Sequence, residues 1–349
     1  MSTKTGSVTT RQPIEDLIMT RPLNPRSLSI SDDRANSCKV SWLPPEHHHS
    51  CLKSYRVQVR TSDNRIINDV AVLKSAKTFL IRNLQQCTDY DVDVTAVCIK
   101  NSMRTESEPL SVKFTTLPET IRNLKMEHAT PNSITVKWDI PVVTSGVKYI
   151  LAISGKTNEK ETNDDNDEDM ENIENFEMVN IEVAGDKNQF TFSKLPDIIG
   201  SGHAFKVSIV TVYASPREIE TTSEECQEIF MTKPIPPTHL DIGSTNEPFQ
   251  ICWHKSMTPN VTKYRIRWKS RNSDDIKTEE EIIESQTEDE IVYFQFPFES
   301  IEDNTEYKVN VYAIAIATCG DLEAESKELH EKFFFTKDPP KISVLTDNE

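Results

Sequence analysis

Apolar and polar residues alternate with a period of two through Tyr55-Arg56-Val57-Gln58-Val59-Arg60, the pattern of a strand with one buried face. Lys148-Tyr149-Ile150-Leu151-Ala152-Ile153 and Tyr264-Arg265-Ile266-Arg267-Trp268 fill the same slot further along. Before each lies a short strand closed by tryptophan: Lys39-Val40-Ser41-Trp42, Thr135-Val136-Lys137-Trp138 and Gln250-Ile251-Cys252-Trp253. After each comes a longer aromatic strand, through Tyr90-Asp91-Val92-Asp93-Val94, Ala204-Phe205-Lys206-Val207-Ser208-Ile209 and Tyr307-Lys308-Val309-Asn310-Val311. Phe79 and Ile81, Phe190 and Phe192, and Phe296 and Phe298 predict the strand that leads to Leu84, Leu195 and Ile301. Val112 and Phe114, Ile229 and Met231, and Phe333 and Phe335 predict the closing strand. A unit of about a hundred residues, built from short alternating strands and repeated, predicts an all-β array of small sandwiches.

The inward Trp, the Tyr-x-Val of the next strand and the Leu-x5-Tyr-x-Val-x-Val around Leu84 and Tyr90 make the chain resemble three tandem fibronectin type III domains. That resemblance covers roughly residues 20–338 and implies immunoglobulin-like sandwiches of seven strands each, beads on a string. It also implies a tyrosine corner at Tyr90 and at Tyr307, each phenol hydroxyl bonding backbone upstream. The second repeat departs: Phe205 has no hydroxyl, and ten residues separate it from Leu195 where the pattern has six. A rebuilt loop and a less stable domain are expected there. Pro118, Pro234-Ile235-Pro236-Pro237 and Pro339-Pro340 punctuate the joints. The expected organisation is a disordered polar segment 1–19, domains at 20–117, 118–233 and 234–338, and a linker or start of a further domain at 339–349. Lys341-Ile342-Ser343-Val344-Leu345 reads like the opening strand of a fourth sandwich.

Spacing locates the insertions. Trp to Leu or Ile is 42 residues in the first repeat, 57 in the second and 48 in the third. The excess coincides with two acidic runs, 156–178 and 273–290, both expected to be solvated insertions. Residues 159–177 carry a net charge of −9 and residues 274–290 one of −8, which together equal the whole chain's −17. No basic stripe is left for phosphate neutralisation, so nucleic acid is not an expected partner. Asp165-Asn166-Asp167-Glu168-Asp169 has Met170 where a calcium loop needs Gly and Phe176 where it needs Glu. At most, weak divalent-cation association at the acidic loops is expected.

The first repeat holds Cys38, Cys51, Cys87 and Cys98 of the chain's seven cysteines. In the sandwich that the resemblance implies, Cys38 and Cys87 share one end, and Cys51 and Cys98 share the other. The expected disulfides are Cys38–Cys87 and Cys51–Cys98; four reduced thiols in a cytosolic protein is the alternative reading. His47-His48-His49 are adjacent loop residues without a second spaced pair, so no metal site is expected. Nucleotide-binding glycine loops, nucleophile elbows, HExxH and CxxC are missing from the sequence, so neither catalysis nor a cofactor is expected.

Two faces are candidates for partners. In the first repeat, Arg56 and Arg60 are expected to face Asp91 and Asp93 in a self-satisfied ladder. In the third, Arg265 and Arg267 face Lys308 and Asn310, a basic face that this neighbouring strand does not neutralise. Beside it, alternation puts Phe334 off the core on an edge strand, where it and free backbone groups could accept an added strand; the preferred reading is that Phe334 packs under the linker toward a following domain. Asn260-Val261-Thr262 is the single glycosylation sequon. The reading is a non-catalytic, protein-binding spacer from an extracellular or cell-surface adhesion or receptor-type protein. The alternative is an intracellular scaffold whose acidic loops recruit basic partners. No signal peptide or membrane-spanning stretch is legible, which leaves the compartment to the redox state of the cysteines.

Overall fold

The computed structural model describes residues 19–47, 51–155, 180–193, 195, 200–242, 249–270, 278–285, 290–317, 322–337 and 340–344. They fold into six antiparallel sheets, paired as three sandwiches. The residues group into two compact units, 1–119 with 213–223, and 120–212 with 224–349.

The first sandwich contains β1 (Arg26–Ser31), β2 (Ser37–Leu43), β3 (Leu52–Thr61), β4 (Ile66–Leu73), β5 (Thr78–Arg82), β6 (Asp89–Lys100), β7 (Met103–Glu106) and β8 (Leu110–Thr115). One sheet has the order β1-β2-β5; the other runs β4-β3-β6, with β7 and β8 both paired to β6. Their inner faces meet in a core of Val40, Trp42, Tyr55, Val57, Ile81, Tyr90, Val92 and Val94.

The second contains β9 (Lys125–Ala129), β10 (Ile134–Lys137), β11 (Val147–Gly155), β12 (Ile181–Ala184), β13 (Gln189–Phe192), β14 (Ala204–Ala214), β15 (Glu220–Thr222) and β16 (Cys226–Met231). β13-β10-β9 form one sheet, and β12-β11-β14 with β16 on β14 form the other. The acidic run 156–178 lies outside the described residues, as do residues 196–199 of the loop expected to be rebuilt after Leu195. On the closing strand β16, Ile229 is exposed and Met231 is buried.

The third contains β17 (Thr238–Ile242), β18 (Gln250–His254), β19 (Val261–Ser270), β20 (Glu279–Glu284), β21 (Ile291–Gln295), β22 (Thr305–Ile316), β23 (Glu323–Glu325), β24 (Leu329–Lys337) and β25 (Pro340–Val344). Two expectations are corrected here. Phe298 does not belong to the fifth strand: Val292, Phe294 and Phe296 point inward from that region, and Phe298 sits exposed in a 3₁₀ turn. The acidic run 273–290 is not all loop, because Glu279–Glu284 pairs with β19 and sets Glu284 opposite Lys263 and Glu280 opposite Arg267. Cross-strand charge pairing makes a strand of a segment whose composition looked solvated. Pro340–Val344, read from the sequence as an opening strand, pairs with β24, Phe335 opposite Ile342 and Phe333 opposite Val344.

Each repeat holds one tryptophan edge-to-face against the tyrosine of the following strand. Trp42–Tyr55, Trp138–Tyr149 and Trp253–Tyr264 have ring centroids 5.4, 5.3 and 5.4 Å apart. This is the quadrupole-favoured geometry, in a part of the core whose truncation to alanine costs about 3–5 kcal/mol. Both tyrosine corners form: Tyr90 Oη accepts from the Gln85 amide and Tyr307 Oη from the Glu302 amide, each at 2.9 Å. Phe205, which replaces the corner tyrosine, is buried in the second core.

Candidate interaction surface

Residues 265, 267 and 269 of β19, 308 and 310 of β22, and 332 and 334 of β24 alternate with core residues, so they line the outer face of the third sandwich. The two arginines there are not the unneutralised pair the sequence suggested. Arg265 reaches Glu280 at 3.3 Å and Glu325 at 3.2 Å, and Arg267 donates to Glu280 at 2.6 Å while lying 5.2 Å from the Tyr312 ring centroid. The Arg267 hydrogen bond holds the Glu280 carboxyl below its ordinary range, and Arg265 adds to that. The acids come from β20 and β23, on either side of the strands first considered.

Lys308 is different. Its register partners are Lys269 on β19 and Lys332 on β24, a row of three ammonium-bearing side chains across adjacent strands. Directly opposed like charges repel across a sheet. Phe334 lies one register step away opposite Glu306, half-buried and off the core, as alternation required. It is not on an open edge, because β25 occupies the outer side of β24 and takes the hydrogen-bonding position an added strand would need.

The first sandwich contains the disulfide Cys51–Cys98, with Cα atoms 4.9 Å apart. It ties the start of β3 to the end of β6. The other expected bond is absent: Cys38 and Cys87 are both buried thiols. Cys38 points into the core from β2, level with Ile81, and burial pushes its pKa up to about 12, with Asp33 adding to the rise. Cys87 sits in the turn before β6 at φ +51°, with its thiol raised to about 11 by burial. One side chain is committed to the core and the other to a left-handed turn, so sharing an end of the sandwich does not bring the sulfurs together. Cys319 lies outside the described residues, as do His48 and His49.

The ladder on the first sandwich is also redistributed. Arg60 bonds Asp93 at 2.5 Å, Arg56 pairs with Asp69 and Glu106, and Asp91 is taken by Arg217 at 2.8 Å. Asn260 is half-buried, and its Nδ2, the atom a glycan would join, donates to the carbonyls of Gly202 and Ile316. Among the described residues no group of three or more His, Cys, Asp or Glu side chains is placed to hold a metal ion. No described helix is long and apolar enough to cross a membrane.

Sequence reasoning missed one repeated element. Ser107 and Ser326 divide the closing strands β7/β8 and β23/β24 in the same way. Each Oγ accepts from a buried amide, Ala96 at 3.0 Å and Ala313 at 2.9 Å, and each serine N–H donates back to that alanine's carbonyl at 2.9 Å. The signal was there as Ser107-Glu108-Pro109-Leu110, Ser223-Glu224-Glu225-Cys226 and Ser326-Lys327-Glu328-Leu329, a serine three residues before an apolar or cysteine position.

The model of the Fibronectin type III domain matches residues 23–113 and 235–331. The collagen alpha-1(XII) chain of Oryctolagus cuniculus is 27% identical over 306 residues, 87% of this chain and 41% of that one. Tenascin-R of Homo sapiens is 25% identical over 266 residues, 76% of this chain and 17% of that one. The chain thus spans less than half the length of either relative. A solved two-domain fibronectin type III segment of chicken tenascin is 19% identical and covers 60% of this chain and 99% of its own, with a TM-score of 0.39.

Proposed function

Because the chain belongs to the fibronectin type III family, we propose that it is a non-catalytic, protein-binding spacer from an adhesion- or receptor-type protein of an oxidising compartment. The observation that carries this reading is the Cys51–Cys98 bond, since structural disulfides persist where thiols are not kept reduced. Relatives that bear collagen and tenascin names support the same assignment. Sandwiches in series fix distance while exposed faces and loops vary, which suits a spacer that also binds. The lysine row around Lys308 is the surface proposed for a protein partner with acidic side chains, Phe334 flanking it. The scaffold alternative is weakened at residues 279–284, where Glu284 is engaged with Lys263 and Glu280 with Arg265 and Arg267 rather than offered to a partner.

The test is alkylation of protein from its native source, before and after denaturation and reduction, with peptide mapping. A linked Cys51–Cys98, with Cys38 and Cys87 alkylated only after unfolding, is the expected result. Cys51 and Cys98 recovered as free thiols would move the protein to a reducing compartment and favour the scaffold.

A further inference from the structure

The linker Pro234-Ile235-Pro236-Pro237 has a single backbone N–H, because proline has none. That Ile235 amide donates to Thr258 Oγ1 at 2.9 Å, and the Ile235 carbonyl accepts from Ser256 Oγ at 2.6 Å. Thr258 is 2% exposed, and its hydroxyl also meets Ser201 Oγ, from the second sandwich, at 2.6 Å. Next to Ser201, Gly202 adopts φ +71°, and its carbonyl accepts from Asn260 Nδ2. A Cβ at Gly202 would lie 2.7 Å from Thr258 Cγ2, 2.8 Å from Ala315 Cβ and 2.9 Å from Asn260 Oδ1. Backbone conformation and space both require glycine there. Beneath these bonds Met231, from β16, packs with Ala315 and Ala317 of the third sandwich, flanked by Ala204, Val261 and Leu322.

We propose that this seam is a fixed elbow between the second and third sandwiches, with Asn260 as its latch, and that closure of the elbow and N-glycosylation of Asn260 exclude one another. Asn260 uses both Nδ2 protons' worth of directionality across the joint, bridging Gly202 of one sandwich and Ile316 of the other. Glycan transfer replaces one Nδ2–H by a bond to the sugar C1, with the diphosphate of a lipid-linked oligosaccharide donor leaving and the proton released to base. The remaining N–H cannot serve both carbonyls. A sugar at Nδ2 would also have to enter a seam in which even a methyl group on Gly202 has no room. The sequon therefore marks a position that is modified only while the joint is open. The elbow itself does not depend on the compartment; the glycan arm alone rests on the secreted reading.

The test is to measure residual dipolar couplings on the full chain and fit alignment tensors separately to the amides of the second and third sandwiches. Bacterially produced wild type should give one shared tensor, as should Met257→Ala, a change at a side chain 84% exposed. Gly202→Val and the milder Asn260→Ala should each give two. Separate tensors in wild type, or a shared tensor in both latch variants, would overturn the elbow. For the glycan arm the chain is secreted from a glycosylating yeast. No glycan at Asn260, or a glycan together with two tensors, is expected; a glycan with one shared tensor overturns the exclusion and leaves the elbow standing.

Discussion

Ser107 and Ser326 interrupt a strand without leaving it unsatisfied. Each replaces a missing ladder bond with its own hydroxyl, then passes the hydroxyl proton on to the next carbonyl, Glu108 or Lys327, at 2.8 Å. Both are nearly buried, and so are the alanines they bond. Changing either serine to alanine leaves a buried N–H without a partner, which costs about 1–3 kcal/mol. Ser107→Ala and Ser326→Ala are therefore expected to lower stability by about that much, each in its own sandwich, as read by urea unfolding. Serine-to-cysteine at the same positions should cost nearly as much, because a thiol is a poor acceptor. The tyrosine corners follow the same logic at shorter range: the phenol oxygen satisfies an amide five residues upstream.

Among elements, β20 and β24 show what register adds to composition. Glu279–Glu284 is strongly acidic, yet register sets Glu284 opposite Lys263 and Glu280 opposite Arg267, with Arg265 reaching Glu280 as well. The same register leaves Lys308 between Lys269 and Lys332. Lys308→Glu should raise the stability of the third sandwich by about 0.2–1 kcal/mol, since it turns opposed like charges into opposite ones. That gain should shrink in high salt, where exposed charges are screened, and urea unfolding at two ionic strengths checks both statements. The same variant should lose retention on an immobilised acidic peptide. The tryptophans, the strand tyrosines and both tyrosine corners were legible in the sequence because large inward side chains recur at fixed offsets. The serine break shows only when the repeats are laid side by side, since a small polar residue within one alternating strand stands out in no hydrophobic pattern. The neutralisation of Arg265 and Arg267 was hidden as well, because it depends on which strand lies on the far side of β19. The Cys38–Cys87 bond failed for a related reason: topology assigns an end of the sandwich, and side-chain direction decides whether two sulfurs meet.

For the molecule as a whole, the Cys51–Cys98 bond closes a loop with a sequence separation of 47. Loop closure of that length restricts the unfolded chain by about 4 kcal/mol at room temperature. In the paired variant Cys51→Ala with Cys98→Ala, amide exchange should quicken at core residues of the first sandwich, such as Val57 and Val94. Core residues of the third, such as Ile266 and Val309, should keep their rates. Equal acceleration in both would mean that the bond acts beyond the sandwich that holds it. In the proposed spacer role the chain carries tension between attachment points, and there the same bond has a mechanical meaning. Pulled from its ends, the first sandwich can unravel only outside the closed loop, because the covalent path runs from Cys51 directly to Cys98. About 150 Å of extensible contour, at roughly 3.3 Å per residue, is withheld from the stretched chain. In that role, oxidation would set how far the first sandwich lengthens under load.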